Sequence, residues 1–197
     1  MSLAGEFAVR YAGLRQAYGT FTASNETRED GKASGKNITI SKELSDNDLL
    51  KLWEDHLSGH QSVGIVPIDE HNNCIWGAID VDEYQLDLKD LSIKIAKQKL
   101  PLVLCRSKSG GAHIYIFLSE PVAASMLQRK LRQIAASIGY GQAEIFPKQT
   151  QLLLERGDRG STLNMPYFGG ENSTRYAYGK EGQALTPEEF LNYCSEI

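Results

Sequence analysis

The sequence predicts an α/β (α+β) domain on a ferredoxin-like, RRM-like βαββαβ core, with an additional N-terminal α/β region. Three observations carry this. From Cys74 to Phe146 the apolar pattern reads strand, helix, strand, strand, helix, strand. Turn chemistry separates these elements at Asp69–Asn73, at Lys108–Gly111 and at Gly139. An apolar content of 41% against 23% charged, over 197 residues, suits a packed globule of one domain.

Residues 1–24 carry Phe7, Val9, Tyr11, Leu14, Tyr18 and Phe21, enough to dock on a core but irregular in period. Residues 25–37 hold no large apolar side chain and read as a surface loop or mobile flap. Ser45 with Asp48 resembles a capping box, Leu49, Leu50, Trp53 and Leu57 form the stripe of the helix it opens, and Gly59 can end it. Val63–Ile68 reads as a strand, followed by the strand Cys74–Asp82. Leu88, Leu91 and Ile95 predict a helix to about Gln98. Pro101–Ser107 and Ala112–Leu118 form a hairpin, and Pro121–Ile138 is the clearest helix. A strand follows at Gln142–Phe146, with shorter ones at Gln151–Leu154, Ser161–Met165 and Arg175–Tyr178. Thr186-Pro187-Glu188-Glu189 opens a last helix with a cap, a proline at the first helical position and a capping-box Glu.

No apolar run approaches the length of a membrane span, and Met1–Glu6 lacks an apolar signal core. Cys74, Cys105 and Cys194 are odd in number and lack metal-ligand spacing, so they read as free thiols in a reducing cytoplasm. The net charge of −4 argues against a general nucleic-acid binder. It hides an asymmetry, since residues 86–180 hold fourteen Lys/Arg against seven Asp/Glu, a local +7 that can face a polyanion.

Function follows from topology. Right-handed crossovers put the third and fourth strands of the core on either side of the first, both antiparallel to it. The end of the first strand then lies beside the starts of the other two. Alternation puts Ile79, Val81, Ile114, Ile116 and Ile145 against the helices. Asp80, Asp82, His113, Tyr115, Phe117, Glu144 and Phe146 share the opposite, open face. Three carboxylates and a histidine converge at one corner. Carboxylates suit Mg2+ or Mn2+, and three acids suit two such ions bridging a triphosphate.

Arg106-Ser107-Lys108-Ser109-Gly110-Gly111-Ala112-His113 reads either as a Gly-rich hairpin turn or as a phosphate site of backbone N–H groups, hydroxyls and cations. At this corner the second reading is favoured. Lys148 can reach a phosphate, Asn164 can read a sugar or base edge, and Tyr167 or Phe168 can stack on a base.

The order Ile79-Asp80-Val81-Asp82, Ser107 to His113 with its two glycines, and Glu144-Ile145-Phe146-Pro147-Lys148-Gln149 resembles the archaeo-eukaryotic primase superfamily. Within it the chain is most similar to phage, plasmid and bacterial primase-polymerase domains of the kind found in TOTE conflict systems. The resemblance spans about Val63 to Tyr178. It implies the fold of those catalytic domains and template-directed nucleotidyl transfer in DNA replication, repair or a mobile-element or defence system. It matches Asp80 and Asp82 to the metal-binding acids, Ser109 and His113 to the phosphate-contacting pair, and Glu144 to a third acid that is commonly Asp. The expected catalytic residues are thus Asp80, Asp82, Glu144 and His113, with two Mg2+ or Mn2+ ions on the three acids. The expected nucleotide contacts are Arg106, Lys108, Ser109, His113, Lys148 and Asn164. The expected partners are nucleoside triphosphates and a single-stranded or primed DNA template, with no membrane. Relatives usually carry a helicase or accessory domain, so residues 1–197 are expected to be one catalytic domain excised from a longer protein. Within it, residues 1–62 would form an N-terminal region, residues 63–180 the catalytic core and residues 185–197 a C-terminal helix. Two other readings stand beside this one: an inactive module binding single-stranded nucleic acid on its open aromatic face, and a metal-dependent nuclease. For a rolling-circle nuclease, His113-x-Tyr115 lacks the second histidine.

Overall fold

The alternating apolar run around Asp80 folds into an interior strand of a five-stranded sheet. The computed structural model describes residues 1–27, 33–83 and 85–197. In chain order these form α1 (Leu3–Arg10), β1 (Ala17–Thr27), β2 (Ala33–Ser41), α2 (Asp46–Leu57), β3 (Val63–Ile65), β4 (Asn73–Val81) and α3 (Leu88–Lys97). Then follow β5 (Val103–Arg106), β6 (Ala112–Ala123), α4 (Ala124–Ser137), β7 (Glu144–Phe146), β8 (Leu163–Asn164), β9 (Ala177–Tyr178) and α5 (Pro187–Glu196). The large sheet has the order β7-β4-β6-β5-β9, so β6 and β7 flank β4, both antiparallel to it as the crossover rule requires. A second sheet, β2-β1-β3-β8, holds the N-terminal strands.

Alternation assigns the faces. Ile79, Val81, Ile114, Ile116 and Ile145 share one core with Leu91 and Ile95 of α3 and Leu127, Leu131 and Ile134 of α4. The other face carries Trp76, Ala78, Cys105, Tyr115 and Phe146, and it is not open. Phe7, Tyr11, Trp53 and Phe190 cover it, in a second core built from α1, α2, α5 and the segment after α1. Tyr115 is 0% exposed, and the Tyr11 ring stands edge-on to Tyr115 at 5.4 Å and to Phe117 at 5.3 Å. The irregular apolar residues of the N-terminal segment needed a partner, and large aromatic rings gain most from being buried together. A nucleic-acid strand therefore cannot stack on Tyr115, while Phe117 stays partly exposed.

Further elements differ from the sequence reading. Residues 25–27 and 33–37 belong to β1 and β2 rather than to a loop; residues 28–32 lie outside the described residues. The hairpin forms through backbone pairing, Ala17 with Ser41 through Ala23 with Gly35, and so needs no apolar signature. α4 begins at Ala124 rather than Pro121, because β6 runs on to pair Val122 with Cys74 and Ala123 with Asn73. The register shift before that pairing accommodates Pro121, which has no N–H for a regular ladder. No strand forms at Gln151–Leu154. There the N–H of Leu152 goes to Asn72 Oδ1 and that of Leu153 to Asp158 Oδ2, and a short 3-10 turn follows at Leu154–Arg156.

Both predicted capping boxes are present, Ser45 with Asp48 on α2 and Thr186 with Glu189 on α5. The three cysteines are free and buried, and burial pushes the Cys74 thiol up to about 12. Among the described residues no helix is long and apolar enough to cross a membrane.

Candidate active site

Strand register builds the site. Asp80 is paired on one side with His113 of β6 and on the other with Glu144 of β7. Asp82 follows directly after the end of β4. The Asp80 side chain is only 14% exposed, with Oδ1 3.3 Å from His113 Nε2. That contact lacks hydrogen-bond geometry, and Oδ1 is buried with no hydrogen-bond partner. The other histidine nitrogen, Nδ1, lies 3.1 Å from the Tyr115 hydroxyl. Partial burial, and then the charges of Asp80 and Glu144, raise the Asp82 carboxyl above its ordinary pKa, against the pull of His113 and Lys148. A cleft beside these acids is lined by Asp80, Asp82, Glu83, Tyr140, Gln142 and Glu144.

Glu144 joins the corner through its backbone, while its carboxylate pairs with Lys148 Nζ at 2.6 Å. Among the described residues no group of three or more His, Cys, Asp or Glu side chains is gathered closely enough to hold a metal ion. The acids that stand ready are therefore Asp80 and Asp82. An orphaned carboxylate oxygen beside a second carboxylate that resists ionisation fits a hard divalent cation.

The Ser107–Gly111 turn is pinned against the end of β4. Ser107 N–H donates to Gly111 O at 2.9 Å, and Gly110 takes a φ of +97°, open to glycine at little cost. A Cβ on Gly111 would lie 2.2 Å from the Val81 carbonyl oxygen, so only glycine brings the turn this close. Ser109 Oγ stands 3.5 Å from Ser107 Oγ. The Lys108 ammonium reaches over the Phe21 ring, and its pKa falls to about 8 through partial burial and the charge of Arg175. Arg175 is 8% exposed, sits over the Phe168 ring at 5.1 Å, and leaves Nη1 without a hydrogen-bond partner. Arg175 and Asp80 both act electrostatically on the Tyr115 hydroxyl, in opposite senses. The site is thus an arc, with acids at Asp80 and Asp82, His113 and Tyr115 between, and cations at Arg175 and Lys108. A second cleft, lined by Thr20, Phe21, Gln61, Lys108, Phe168 and Arg175, opens at the cationic end.

The family model for the archaeo-eukaryotic primase domain of the TOTE conflict system matches residues 5–178. The chain belongs to this family. As a primase domain of this kind it has a DNA primase/polymerase-type function. Among solved structures, the polymerase domain of Mycobacterium tuberculosis ligase D in complex with DNA is similar at 13% identity and a TM-score of 0.44, over 98% of this chain and 86% of that one. No curated protein matches the chain.

The remaining expected residues of the primase domain divide. Lys148 is at the corner, on Glu144. Asn164 lies on β8 opposite Gly64 of β3, in the smaller sheet. Arg106 faces away from the acids: its Nη1 donates to Thr174 O at 3.4 Å, and it lines a separate groove with Lys89 and Tyr178. Tyr167 cannot stack on a base, being buried with its hydroxyl donating to Leu185 O and accepting from Ala177 N–H. Sequence reasoning missed Arg175. Nothing local separates it from a surface arginine, and its burial comes from the bend just before β9, where it packs against Phe168.

Proposed function

We propose that the primase domain joins nucleotides on a nucleic-acid template, with Asp80 and Asp82 as the acid pole and Arg175 and Lys108 as the cationic pole of one substrate site. The observation carrying this is the pairing of two orphans: a buried carboxylate oxygen on Asp80, and a buried, unpartnered guanidinium nitrogen on Arg175. A nucleoside triphosphate complexed with divalent cations offers what each lacks.

Asp80 and Asp82 would hold Mg2+ or Mn2+, with Glu144 as a third acid once it releases Lys148; a divalent cation held there would supply charge neutralisation for phosphoryl transfer. His113 stands beside the Asp80 carboxylate without hydrogen-bonding it, and its other ring nitrogen is oriented by Tyr115. Arg175 and Lys108 bind the triphosphate tail, the backbone N–H groups and Ser109 hydroxyl of the turn add donors, and Lys148 is freed to join them. Asn164 would place the sugar or base from the smaller sheet. Phosphoryl transfer asks mainly for positioning and charge neutralisation, which this set supplies. Arg106 is not included, because its side chain leaves on the other side of β5. A module stacking single strands on Tyr115 finds no support, since that ring is covered.

The test is incorporation of ribo- and deoxyribonucleotides on a primed DNA template, with cleavage of single-stranded DNA measured in parallel. Incorporation by the wild type, lost in Asp80→Asn/Asp82→Asn, is expected. Metal-dependent cleavage without incorporation would make the domain a nuclease and end the proposal.

A further inference from the structure

Arg106 belongs to the most phosphate-like motif of the sequence, yet its guanidinium enters a groove on the helix side of the large sheet. That groove lies between the edge strand β9 and the start of α3, and Gln85, Asp87, Lys89, Arg106, Gly110 and Tyr178 line it. We propose that this groove binds a single-stranded nucleic-acid segment, with Arg106 and Lys89 on its phosphates and Tyr178 beneath a base.

Three features support this. First, the cations are available. Neither Arg106 nor Lys89 pairs with a described carboxylate, and among the described residues the Arg106 guanidinium makes only the 3.4 Å bond to Thr174 O. Among the described residues Asp87 is the one acid in the lining, and its Oδ1 accepts the N–H of Asp90 as the cap of α3. Second, an aromatic platform is present. The Tyr176 and Tyr178 rings lie 5.2 Å apart, with their hydroxyls 3.4 Å apart, and both are partly exposed. Cations beside aromatic rings are what an unpaired strand requires, since every base has a face to stack. A lone nucleotide tail would use the cations and leave the rings idle.

Third, the groove continues from the active site. Arg106 pairs with Ala112, which pairs with Val81, so all three sit at the end of the sheet that carries Asp80 and Asp82. The Ser107–Gly111 turn borders both regions. A strand leaving the acids would run past Glu83 and Gln85 onto Tyr178. The inference rests on the proposed function only in naming which molecule extends from that site; binding itself can be tested apart from catalysis.

The experiment is fluorescence anisotropy of a labelled oligothymidylate with the wild type and variants, without metal or nucleotide, over a range of salt. Arg106→Gln/Lys89→Gln should weaken binding about tenfold or more and flatten the slope of log K against log salt by about 1 to 1.5, two phosphate contacts on a single strand. Tyr178→Ala should weaken binding by about tenfold, and Tyr178→Phe, which keeps the ring, should not. Melting temperatures identify any variant that is merely unfolded. Unchanged affinity and unchanged salt slope in the folded double variant would overturn the proposal. So would a loss of triphosphate binding in Arg106→Gln with oligothymidylate binding intact, which would return Arg106 to the nucleotide. Asp80→Asn/Asp82→Asn should bind oligothymidylate at least as tightly as the wild type, since it removes only negative charge beside the strand. Failure of catalysis and failure of the groove therefore give different patterns.

Discussion

Asp80 and Arg175 are both held short of full pairing, and unpaired buried polar atoms are costly unless something completes them. Removing one should separate binding from stability. Arg175→Gln is expected to weaken a non-hydrolysable triphosphate by about tenfold to hundredfold, the value of a hydrogen bond to a charged group. Its melting temperature should hold or rise, because a poorly paired buried charge is gone. Calorimetry beside a melt checks this; a mutant that melts early and binds normally would make Arg175 a packing residue. Tyr11 offers a comparison outside the arc. Its hydroxyl is buried without a partner among Phe7, Trp53, Trp76 and Phe190. Tyr11→Phe should therefore stabilise the protein, by about 1 kcal/mol, with activity unchanged. A drop in the urea midpoint would show that the hydroxyl has a partner after all.

At the scale of elements, His56 joins three supports of the site. Val63 N–H donates to its Nδ1 at 3.0 Å, and its Nε2–H donates to Pro166 O at 2.8 Å, so α2, β3 and the segment leading to Phe168 meet on one neutral ring. Burial lowers its pKa to about 4. In the unfolded chain it protonates near 6.5, so the unfolded state binds more protons between the two values. Stability is full above pH 6.5 and falls on the way down to pH 4, by on the order of 3 kcal/mol. A histidine resonance with a midpoint near 4 is expected; titration of His56 near 6.5 would contradict the burial argument.

The same scale shows what could be read in advance. Strand order and alternation were enough to place Asp80 between His113 and Glu144, because a two-residue period and a right-handed crossover leave one arrangement. The cover over Tyr115 was not legible, since Phe7, Tyr11, Trp53 and Phe190 come from distant segments that no single period links. The β1–β2 hairpin was missed because its pairing is a backbone property. The direction of the Glu144 carboxylate depends on Lys148, which register alone does not decide. Arg175 carries no local signature, and its burial appears only once it is folded against Phe168.

For the whole molecule, one sheet separates two cores, and the acids lie at the end of β4 where neither core covers them. Aliphatic packing on α3 and α4 and aromatic packing on α1, α2 and α5 hold both faces and so keep the acids adjacent. Burial first, and then the charges of Asp80 and Glu144, raise the Asp82 carboxyl. A divalent cation at this point should stabilise the whole fold, because it binds the folded chain and not the unfolded one. Asp80→Asn/Asp82→Asn removes both the repulsion and the ligands. Thermal melting with and without Mn2+, on the wild type and this double variant, measures it directly. The account predicts that without metal the variant melts slightly higher than the wild type, and that added Mn2+ raises the melting temperature of the wild type alone. An equal rise in both proteins would place the ion elsewhere and contradict a metal-dependent site at Asp80 and Asp82.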